Sequence, residues 1–368
     1  NHLIRNLKAL VGLGVFLGRP RVQTRAMARL ATEVRRQVLD DGGHYERSPS
    51  YHVQVLIDVT DVAALVAAQE GSAPRWLTDA QASMRSWLGH MRLPDGGIPL
   101  FNDCQPVAAA VIDLLAPGPP APEGLTLLEP SGYAILRSGA RLHVVADVGL
   151  PCPDELPAHA HADCLSFVLC VDGVPVIVDT GTSTYEPGVQ RQHERSTRAH
   201  NTVEVDGADQ TEVFGTFRAG RRARPTIHAV DPDPRAPGLT ASHDGYRRLA
   251  GDVTHRRRWR LHTDALEIAD VVEGAGHHRV TSILRFAPSV QVAKSDAGWK
   301  AGPLEIDVTA APVDPNADAW APGTTPDAWV AERFGVLRPA AVLEATVNHD
   351  LPIAITTVLR LGSPTIEP

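Results

Sequence analysis

Apolar positions recur at helical spacing through the first third of the chain and alternate with polar positions through the rest. The helical spacing predicts five helices, over residues 2–17, 22–39, 49–70, 76–91 and 105–115. From residue 141 to residue 148 every second side chain is apolar, which predicts a strand with one apolar face. Strand patterns separated by turn residues continue to the C-terminus. The chain is therefore predicted to be an α+β multidomain protein, with helices first and an antiparallel β-sandwich after them.

A Pro- and Gly-rich stretch marks the boundary between the two parts. Residues 116–124 read as a stiff linker between a helical domain at 1–115 and a β-domain at 125–368. At 368 residues, 43% of them hydrophobic, the chain can bury a core in both domains.

Composition narrows the classes of partner. The net charge of −8 argues against general binding to nucleic acid or to anionic surfaces. No run approaches the roughly 20 apolar residues of a transmembrane helix, so no membrane span is expected. The four cysteines form no CxxC pair and are expected to be buried free thiols. The chain does not begin with Met, and we expect it to be processed or truncated at its start.

Three short motifs in the middle of the chain carry candidate site chemistry. His159 and His161 are two residues apart, so on an extended strand both imidazoles would point to one face. Imidazole can transfer protons near neutral pH, and its neutral form is the commonest metal ligand in proteins. Two imidazoles and a carboxylate are an ordinary zinc ligand set, which Asp179 and His200 are candidates to complete.

The geometry of an ideal hairpin is in tension with that zinc site. Residues 167–171 and 174–179 flank Asp172 and Gly173, a strong hairpin signal. In an ideal hairpin His161 would lie roughly 16 Å from Asp179, at about 3.3 Å per residue. A shared metal therefore needs a bend or bulge near Asp163. The alternative is that the histidines lie near a strand end, hydrogen-bonded but not ligating.

The segment from residue 159 to residue 210 closely resembles the C-terminal domain of the heparinase II/III-like polysaccharide lyases. The resemblance implies that His161, Asp179 and His200 hold a zinc ion, Zn2+, that is mainly structural. It also implies that His159 belongs to the catalytic centre, and that the chain supplies the bend near Asp163.

The N-terminal third resembles the helical toroid of the same family. Asn1 and His2 match the pair that neutralises the substrate carboxylate, and Tyr51, within the segment 41–52, matches the catalytic tyrosine. The resemblance thus implies an incomplete (α/α) toroid packed on a β-supersandwich. Such toroids typically contain more helices than five, so the missing part is expected to precede Asn1.

Local physics is consistent with a working position for Tyr51. Ser48 can cap a helix that begins with Pro49, which places Tyr51 in the first turn. The helix dipole there favours a phenolate by roughly 0.3–1 kcal/mol. Arg47, a histidine or the substrate would therefore have to supply most of the free energy needed to ionise Tyr51 at neutral pH. The alternative is a tyrosine that only packs, with its hydroxyl hydrogen-bonded.

The implied activity is β-elimination at a uronic-acid residue of an anionic polysaccharide or oligosaccharide. Tyr51 or His159 would remove the C5 proton, and Tyr51 would protonate the leaving oxygen. Further candidates for substrate binding are Arg47, Tyr185, Arg195 and Arg198. By the same resemblance the protein is expected in the periplasm or outside the cell.

Two other classes of function remain open at the level of sequence. A zinc-dependent glycan hydrolase would use the metal to activate water. A non-catalytic glycan-binding or exopolysaccharide-assembly protein would bind without cleaving.

Overall fold

A computed structural model describes residues 1–118, 121–139, 141–296, 298–313, 315–320 and 328–362. The helices within these ranges are α1 (His2–Phe16), α2 (Pro20–Gln37), α3 (Pro49–Glu70), α4 (Arg75–Met91), α5 (Ala109–Leu115) and α6 (Val189–Arg195). A 3-10 turn, Thr197–Ala199, follows α6. The first four helices pack in neighbouring pairs, α1 on α2, α3 on α4 and α1 on α3.

The helix boundaries follow from local sequence. Pro20 starts α2, where the fixed φ of proline suits the first helical position. Gly71 ends α3 in the left-handed conformation, with φ of 86°. The predicted fifth helix begins four residues later than expected, at Ala109. Pro106 disfavours helical geometry at Gln105, whose side chain bonds to the carbonyl of Thr182.

The strands follow the helical part of the chain. In chain order they are β1 (Gly124–Leu128), β2 (Tyr133–Ser138), β3 (Leu142–Asp147), β4 (Phe167–Val171), β5 (Val174–Ile177), β6 (Val203–Val205), β7 (Val213–Phe214), β8 (Arg218–Ala219), β9 (Pro225–Asp231), β10 (Gly238–His243), β11 (Thr254–Leu261), β12 (Ala265–Glu273), β13 (His277–Arg285), β14 (Val292–Ser295), β15 (Gly298–Ala301), β16 (Leu304–Ala311), β17 (Asn316–Trp320), β18 (Trp329–Arg333), β19 (Val336–Pro339), β20 (Val342–Asp350) and β21 (Ile353–Leu361).

These strands form three larger antiparallel sheets. The first has the order β1-β2-β3-β4-β5, the second β14-β15-β16-β21-β12-β11-β10-β9, and the third β17-β20-β13-β6. The hairpins β7-β8 and β18-β19 stand beside them. The predicted α+β fold, with helices followed by an antiparallel β-sandwich, is confirmed.

The first sheet joins the two parts of the molecule because both of its faces are buried. Ile135, Val145 and Val168 pack into the core that the helices form. Leu136 and Val144 face the opposite way, into the core shared with the second sheet. The alternating pattern of β3 predicted only one buried face, whereas every residue of this strand is buried.

The first strand, β1, begins at Gly124, the last residue of the predicted linker. Of the predicted linker 116–124, residues 119–120 lie outside the described residues, as do residues 363–368 of the predicted β-domain. All four cysteines are buried and free, as predicted.

Helix α3 is long and apolar enough to cross a membrane by length and composition alone. Half of its most apolar stretch is buried within the protein, and it packs against α1, α4 and α5. Core helices of globular domains have the same properties, and α3 has the contacts of a core helix.

We expect His143 to make the protein less stable in acid. Burial lowers the pKa of His143 from 6.5 to about 4, and neither ring nitrogen has a hydrogen-bond partner among the described residues. The unfolded chain therefore takes up a proton near pH 6.5 that the folded chain refuses until about pH 4, so stability falls as the pH drops through this window. The loss is at most about 3 kcal/mol.

His143→Leu should flatten this loss in urea unfolding measured between about pH 7 and about pH 4.5. The control is His228→Leu at an exposed position, which should keep the slope of the wild type. Equal slopes for wild type and His143→Leu would contradict the assignment.

Candidate functional site

A cleft of about 490 Å³ lies where the helices meet the β-domain. The helical part contributes the start of α1, one face of α2 and the loop before α3, and the β-domain contributes three loops. Its lining residues are Asn1, His2, Leu3, Glu33, Arg36, Gln37, Tyr45, Glu46, Tyr51, Leu156, Ala158, His159, Tyr185 and Phe217.

The loop before α3 is shaped by a glycine. Gly42 has φ of 89°, and a side chain there would collide with the backbone carbonyl of Ser83 on α4.

Ser48 occupies the predicted N-cap position and Pro49 the first helical turn. The Ser48 hydroxyl, however, donates to the carbonyl of Asp103 at 2.7 Å and does not cap the helix. This bond fixes the start of α3, and with it Tyr51, to the loop that carries Asp103.

Tyr51, His159 and Tyr185 meet in the cleft. The rings of Tyr51 and His159 lie with their centroids 4.1 Å apart, and the hydroxyls of Tyr51 and Tyr185 are 2.9 Å apart. The structure thus brings together three residues that lie far apart in sequence. A phenol and an imidazole side by side in an open cleft can act as proton donor and acceptor on one bound molecule.

His159 lies between two carboxylates. Its Nδ1 is 3.1 Å from Asp103, and because an ionised carboxylate only accepts, Nδ1 donates there. The other ring nitrogen, Nε2, is 3.5 Å from Glu46. Because Nδ1 is the donor to Asp103, Nε2 is the nitrogen available to take a proton from a molecule in the cleft.

The surroundings of Tyr51 oppose the phenolate that the helix dipole alone would favour. Burial raises the pKa of Tyr51, the charges of Asp103 and Glu46 raise it further, and the bond from Tyr185 only partly offsets them. The resulting direction is opposite to the effect of the helix end. Tyr51 is thus protonated at neutral pH and suited to donate a proton.

Asp103 connects the two halves of the site, and no local sequence pattern marks it. One of its oxygens accepts from His159, the other from His161 Nε2 at 2.9 Å, and Arg191 pairs with both, with Nη2 at 2.7 Å. Burial alone would raise the pKa of Asp103, but the bonds from His159, His161 and Arg191 hold it well below its ordinary value.

Asn102 holds the same loop in a left-handed conformation, with φ of 56°. Its side-chain oxygen accepts from the backbone of His161 at 2.9 Å, and its amide donates to the carbonyl of Arg47 at 3.0 Å. Non-glycine residues adopt this conformation at a cost, and such residues cluster at functional sites. Here it aligns the loop before α3 with the histidine loop.

A buried cluster of His161, Asp163 and His200 lies next to this loop, with one donor atom of each within 4.8 Å of the others. His161 donates through Nε2 to Asp103, and His200 donates through Nδ1 to Asp179 at 2.8 Å. In its neutral form each ring therefore keeps an unprotonated nitrogen. These two nitrogens and Asp163 Oδ1 have no hydrogen-bond partner among the described residues. Two neutral imidazoles and a carboxylate, each without another partner, fit a divalent metal such as zinc.

The structure gives the predicted ligand Asp179 a different contact from the one that the resemblance implies. Its Oδ2 accepts from His200, and its Oδ1 accepts from the amide of Gly181 at 3.0 Å. Asp163 is the carboxylate that groups with both imidazoles. Burial raises the pKa of Asp163 to about 6, and a bound dication would favour its ionised form.

His159 and His161 lie in a loop, so the shared face of an extended strand is not what brings them together. Their rings converge because both bond to Asp103. The bend that the sequence required near Asp163 is present, since Leu165 has φ of 61°. An irregularity between Leu169 and Cys170 also shifts the β4-β5 register from the ideal hairpin.

The three arginines that were predicted to bind substrate do not line the cleft. Arg47 donates to the carbonyls of Tyr45 and Pro130, at 3.3 and 3.4 Å. Arg198 pairs with Glu204 and Glu344, at 3.2 and 2.6 Å.

Arg195 is buried and bonds to the carbonyls of Ala160, Gly215 and Arg218. It holds the histidine loop to the β7-β8 hairpin. These guanidinium groups have structural partners, so the prediction that they bind substrate does not agree with the geometry.

Asn1 and His2 line the cleft as the resemblance implied. The Asn1 amide donates to Glu46 at 2.7 Å, and since an amide has two N–H groups, one remains for a ligand. His2 is exposed at the start of α1. Glu46, buried between Asn1 and His159, is a further residue that spacing and motif did not single out.

Comparison with known families gives two matches that follow each other along the chain. The heparinase II/III N-terminus model matches residues 1–115, and the heparinase II/III-like, C-terminal model matches residues 120–355. The chain belongs to the heparinase II/III-like family. The first match covers the helices α1 to α5, and the second begins just before the first sheet.

Two relatives of this heparinase II/III-like chain have different descriptions. It is 27% identical over 250 residues to the FtsZ-localized protein C of Caulobacter vibrioides, covering 66% of this chain and 42% of the relative. It is 28% identical over 230 residues to the heparin-sulfate lyase of Pedobacter heparinus, covering 55% of this chain and 35% of the relative.

Solved structures show the same fold. A heparinase III structure superposes with a TM-score of 0.83 at 16% identity, covering 99% of this chain and 62% of that one. The heparan sulfate lyase HepC from Pedobacter heparinus gives 0.76 at 17% identity, covering 100% and 60%. The chain spans less than two thirds of the length of these relatives.

Asp103→Asn should destabilise the heparinase II/III-like fold. It would break a buried ion pair with Arg191 and bring an amide N–H against groups that donate, which costs about 3–5 kcal/mol. Urea unfolding would measure the loss. The control is Asp79→Asn, which removes a surface pair with Arg75 and should change stability by less than about 1 kcal/mol. Equal effects of the two variants would contradict a connecting role for Asp103.

Proposed function

We propose that this chain carries the catalytic centre of a polysaccharide lyase that cleaves a uronic-acid-containing anionic polysaccharide by β-elimination. The observation that carries the proposal is the contact between the Tyr51 and His159 rings in a cleft that Asn1 and His2 also line. Membership of the heparinase II/III-like family supports lyase chemistry on a polysaccharide.

In the proposed reaction His159 Nε2 takes the proton from C5 of the uronate. The C5–H electron pair forms a double bond between C4 and C5, the bond from C4 to the glycosidic oxygen breaks, and Tyr51 gives its proton to that oxygen. The products are an unsaturated uronate and a new hydroxyl end, and no water is consumed. Tyr51 is protonated at neutral pH, as the role of acid requires, and the bond from His159 Nδ1 to Asp103 leaves Nε2 for the role of base.

The carboxylate of the substrate must be neutralised for C5 to lose its proton. The free N–H of Asn1 and the ring of His2 would bind it, and would stabilise the negative charge that develops there. Tyr185, bonded to the hydroxyl of Tyr51, would hold that hydroxyl in place.

We propose that zinc binds at His161 and His200 with a carboxylate, and that its role is structural. The ion would neutralise the buried acidic groups and fix the loop that carries His159 and His161. His161, Asp163 and His200 are each 0% exposed, so a metal there lies beneath the cleft. This burial argues against the zinc-dependent hydrolase, whose metal must reach water and substrate.

A polymer with uronate residues implies a substrate outside the cytoplasm, and on that basis we propose a periplasmic or extracellular location.

The experiment is a screen of uronate polysaccharides for the ultraviolet absorbance of the unsaturated product. A rise in absorbance on at least one polymer, absent with Tyr51→Phe, is expected. If a protein extended to the full length of its relatives gave no rise in absorbance on any polymer, that result would contradict the lyase.

A second function is favoured by one relative, the FtsZ-localized protein C. A non-catalytic role in binding or assembling glycan would leave the same cleft without chemistry. It predicts binding of oligosaccharide that neither Tyr51→Phe nor His159→Ala changes, and no absorbance.

A further inference from the structure

Two exposed phenylalanines stand at the rim of the cleft, against Tyr185. Phe217 and Phe334 are 42% and 43% exposed, which is unusual for rings of this size. Their centroids lie 5.3 and 4.8 Å from that of Tyr185, both in edge-on geometry. The three rings form one aromatic surface, which we call the aromatic rim.

The aromatic rim comes from separate parts of the β-domain. Phe217 is in the turn of the β7-β8 hairpin, and Phe334 is in the turn of the β18-β19 hairpin. Tyr185 follows β5. Three separate segments therefore bring aromatic side chains to one place.

The turn that carries Phe334 is held by specific bonds. The amide of Phe334 donates to Gln105 at 2.9 Å, and the amide of Gly335 donates to the carbonyl of Ser183 at 2.8 Å. Gln105 also bonds to the carbonyl of Thr182 at 2.6 Å. The hairpin is thus tied to the segment that leads to Tyr185.

The turn that carries Phe217 is held by arginines beneath it. Arg191 donates to the carbonyl of Thr216 at 3.1 and 3.0 Å, and Arg195 donates to Gly215 at 3.1 Å. The Arg191 guanidinium also lies 5.0 Å from the Tyr185 ring and 5.8 Å from the Phe217 ring. Since Arg191 pairs with Asp103, the aromatic rim rests on the group that orients His159.

The cleft itself has few positively charged side chains that could bind a polyanion. Of the described lining residues, Arg36 is paired with Glu155 at 2.7 Å, while Glu33 and Glu46 add negative charge. Ion pairing from these residues therefore contributes little to holding a long sugar chain.

We infer that Phe217, Phe334 and Tyr185 form a sugar-stacking subsite for the ring next to the cleaved linkage. The inference rests on the proposed function and adds a second binding position to it. One face of a pyranose carries mainly C–H groups, which pack on the negative face of an aromatic ring. Phe217 lines the cleft and Tyr185 bonds to Tyr51, so a ring seated there continues directly into the site of the reaction.

The test compares Phe217→Ala, Phe334→Ala and the double variant with Phe214→Ala. Phe214 is on the same β7-β8 hairpin and 47% exposed, but makes no ring contact with Tyr185 in the described residues. Each rim variant should raise KM about 2- to 10-fold, since loss of an aromatic contact costs roughly 0.5–1.5 kcal/mol, while kcat stays within about 2-fold. Phe214→Ala should match the wild type, and Phe217→Tyr with Phe334→Tyr should restore KM.

Affinity for short unsulfated uronate oligosaccharides, measured by calorimetry, tests the subsite separately from the chemistry. Weaker binding by the rim variants, with the thermal midpoint unchanged, supports the subsite even if no polymer is cleaved. An unchanged KM and affinity in the double variant overturns it. So does a fall in kcat that follows a fall in thermal midpoint, because that pattern belongs to rings with a structural role alone.

Discussion

Tyr51→Phe is expected to reduce the elimination rate about 10²- to 10⁴-fold, the range that one positioned proton donor contributes. The variant removes the hydroxyl that would protonate the leaving oxygen, together with its bond to Tyr185. The ring still packs on His159, so substrate affinity and stability should change little.

His159→Ala should cause a loss of similar size, because it removes the proposed base. The double variant should lose little more than the worse single variant, since the two residues act on one proton-transfer sequence. Initial rates of absorbance, with binding measured separately, would show both effects.

The control for these variants is Tyr45→Phe. Tyr45 lines the same cleft, but its described ring contact is with His44 and not with His159. It should keep most of its activity. If Tyr51→Phe were as active as Tyr45→Phe, Tyr51 would not be the acid.

The second large effect concerns the metal. His161→Ala and His200→Ala should each abolish stoichiometric zinc, measured by elemental analysis of the purified protein. The wild type at free zinc a thousand times its Kd should be about 4 kcal/mol more stable than after chelation. His143→Leu, which changes a buried histidine outside the cluster, should keep its zinc.

Two carboxylate variants distinguish a carboxylate that binds the metal from one that only orients a metal-binding histidine. Asp163→Asn should remove the metal, whereas Asp179→Asn should weaken binding only 10- to 100-fold, as loss of a bond to a ligating histidine does. The reverse order would show that Asp179 is the ligand and Asp163 is not. Zinc content unchanged in both histidine variants would contradict the site altogether.

Local sequence predicted the elements whose cause is local. Each helix follows from the spacing of apolar residues within its own segment. Helix α3 begins at Pro49 and ends before Gly71, as the preferences of proline and glycine predict. Tyr51, His159 and Tyr185 could be placed together only through the resemblance, because their contact depends on how two domains pack.

The residues that sequence missed act across long distances in the chain. Asp103 lies 56 residues from His159, which it orients, and no spacing rule joins them. Glu46 and Asn102 likewise work through partners in other segments. Asp163 was within the histidine motif, but choosing between it and Asp179 needed the fold of the loop.

The arginines show the opposite error. A positive charge near a motif suggests an anion site, yet Arg195 and Arg198 are committed to carbonyls and carboxylates of their own chain. For Tyr51 the effect of the helix end could be predicted from sequence, but the burial of the ring and the charges of Asp103 and Glu46, which oppose that effect, could not.

The central claim is that the cleft breaks a glycosidic bond by elimination, without water. The most direct measurement is mass spectrometry of the products formed in heavy-oxygen water. The proposed mechanism predicts an unsaturated uronate end, lighter by one water than a hydrolysis product. It also predicts no heavy oxygen in either fragment when the new reducing end is trapped by borohydride reduction before it exchanges its oxygen with water. Fragments that carry heavy oxygen and no double bond would contradict it.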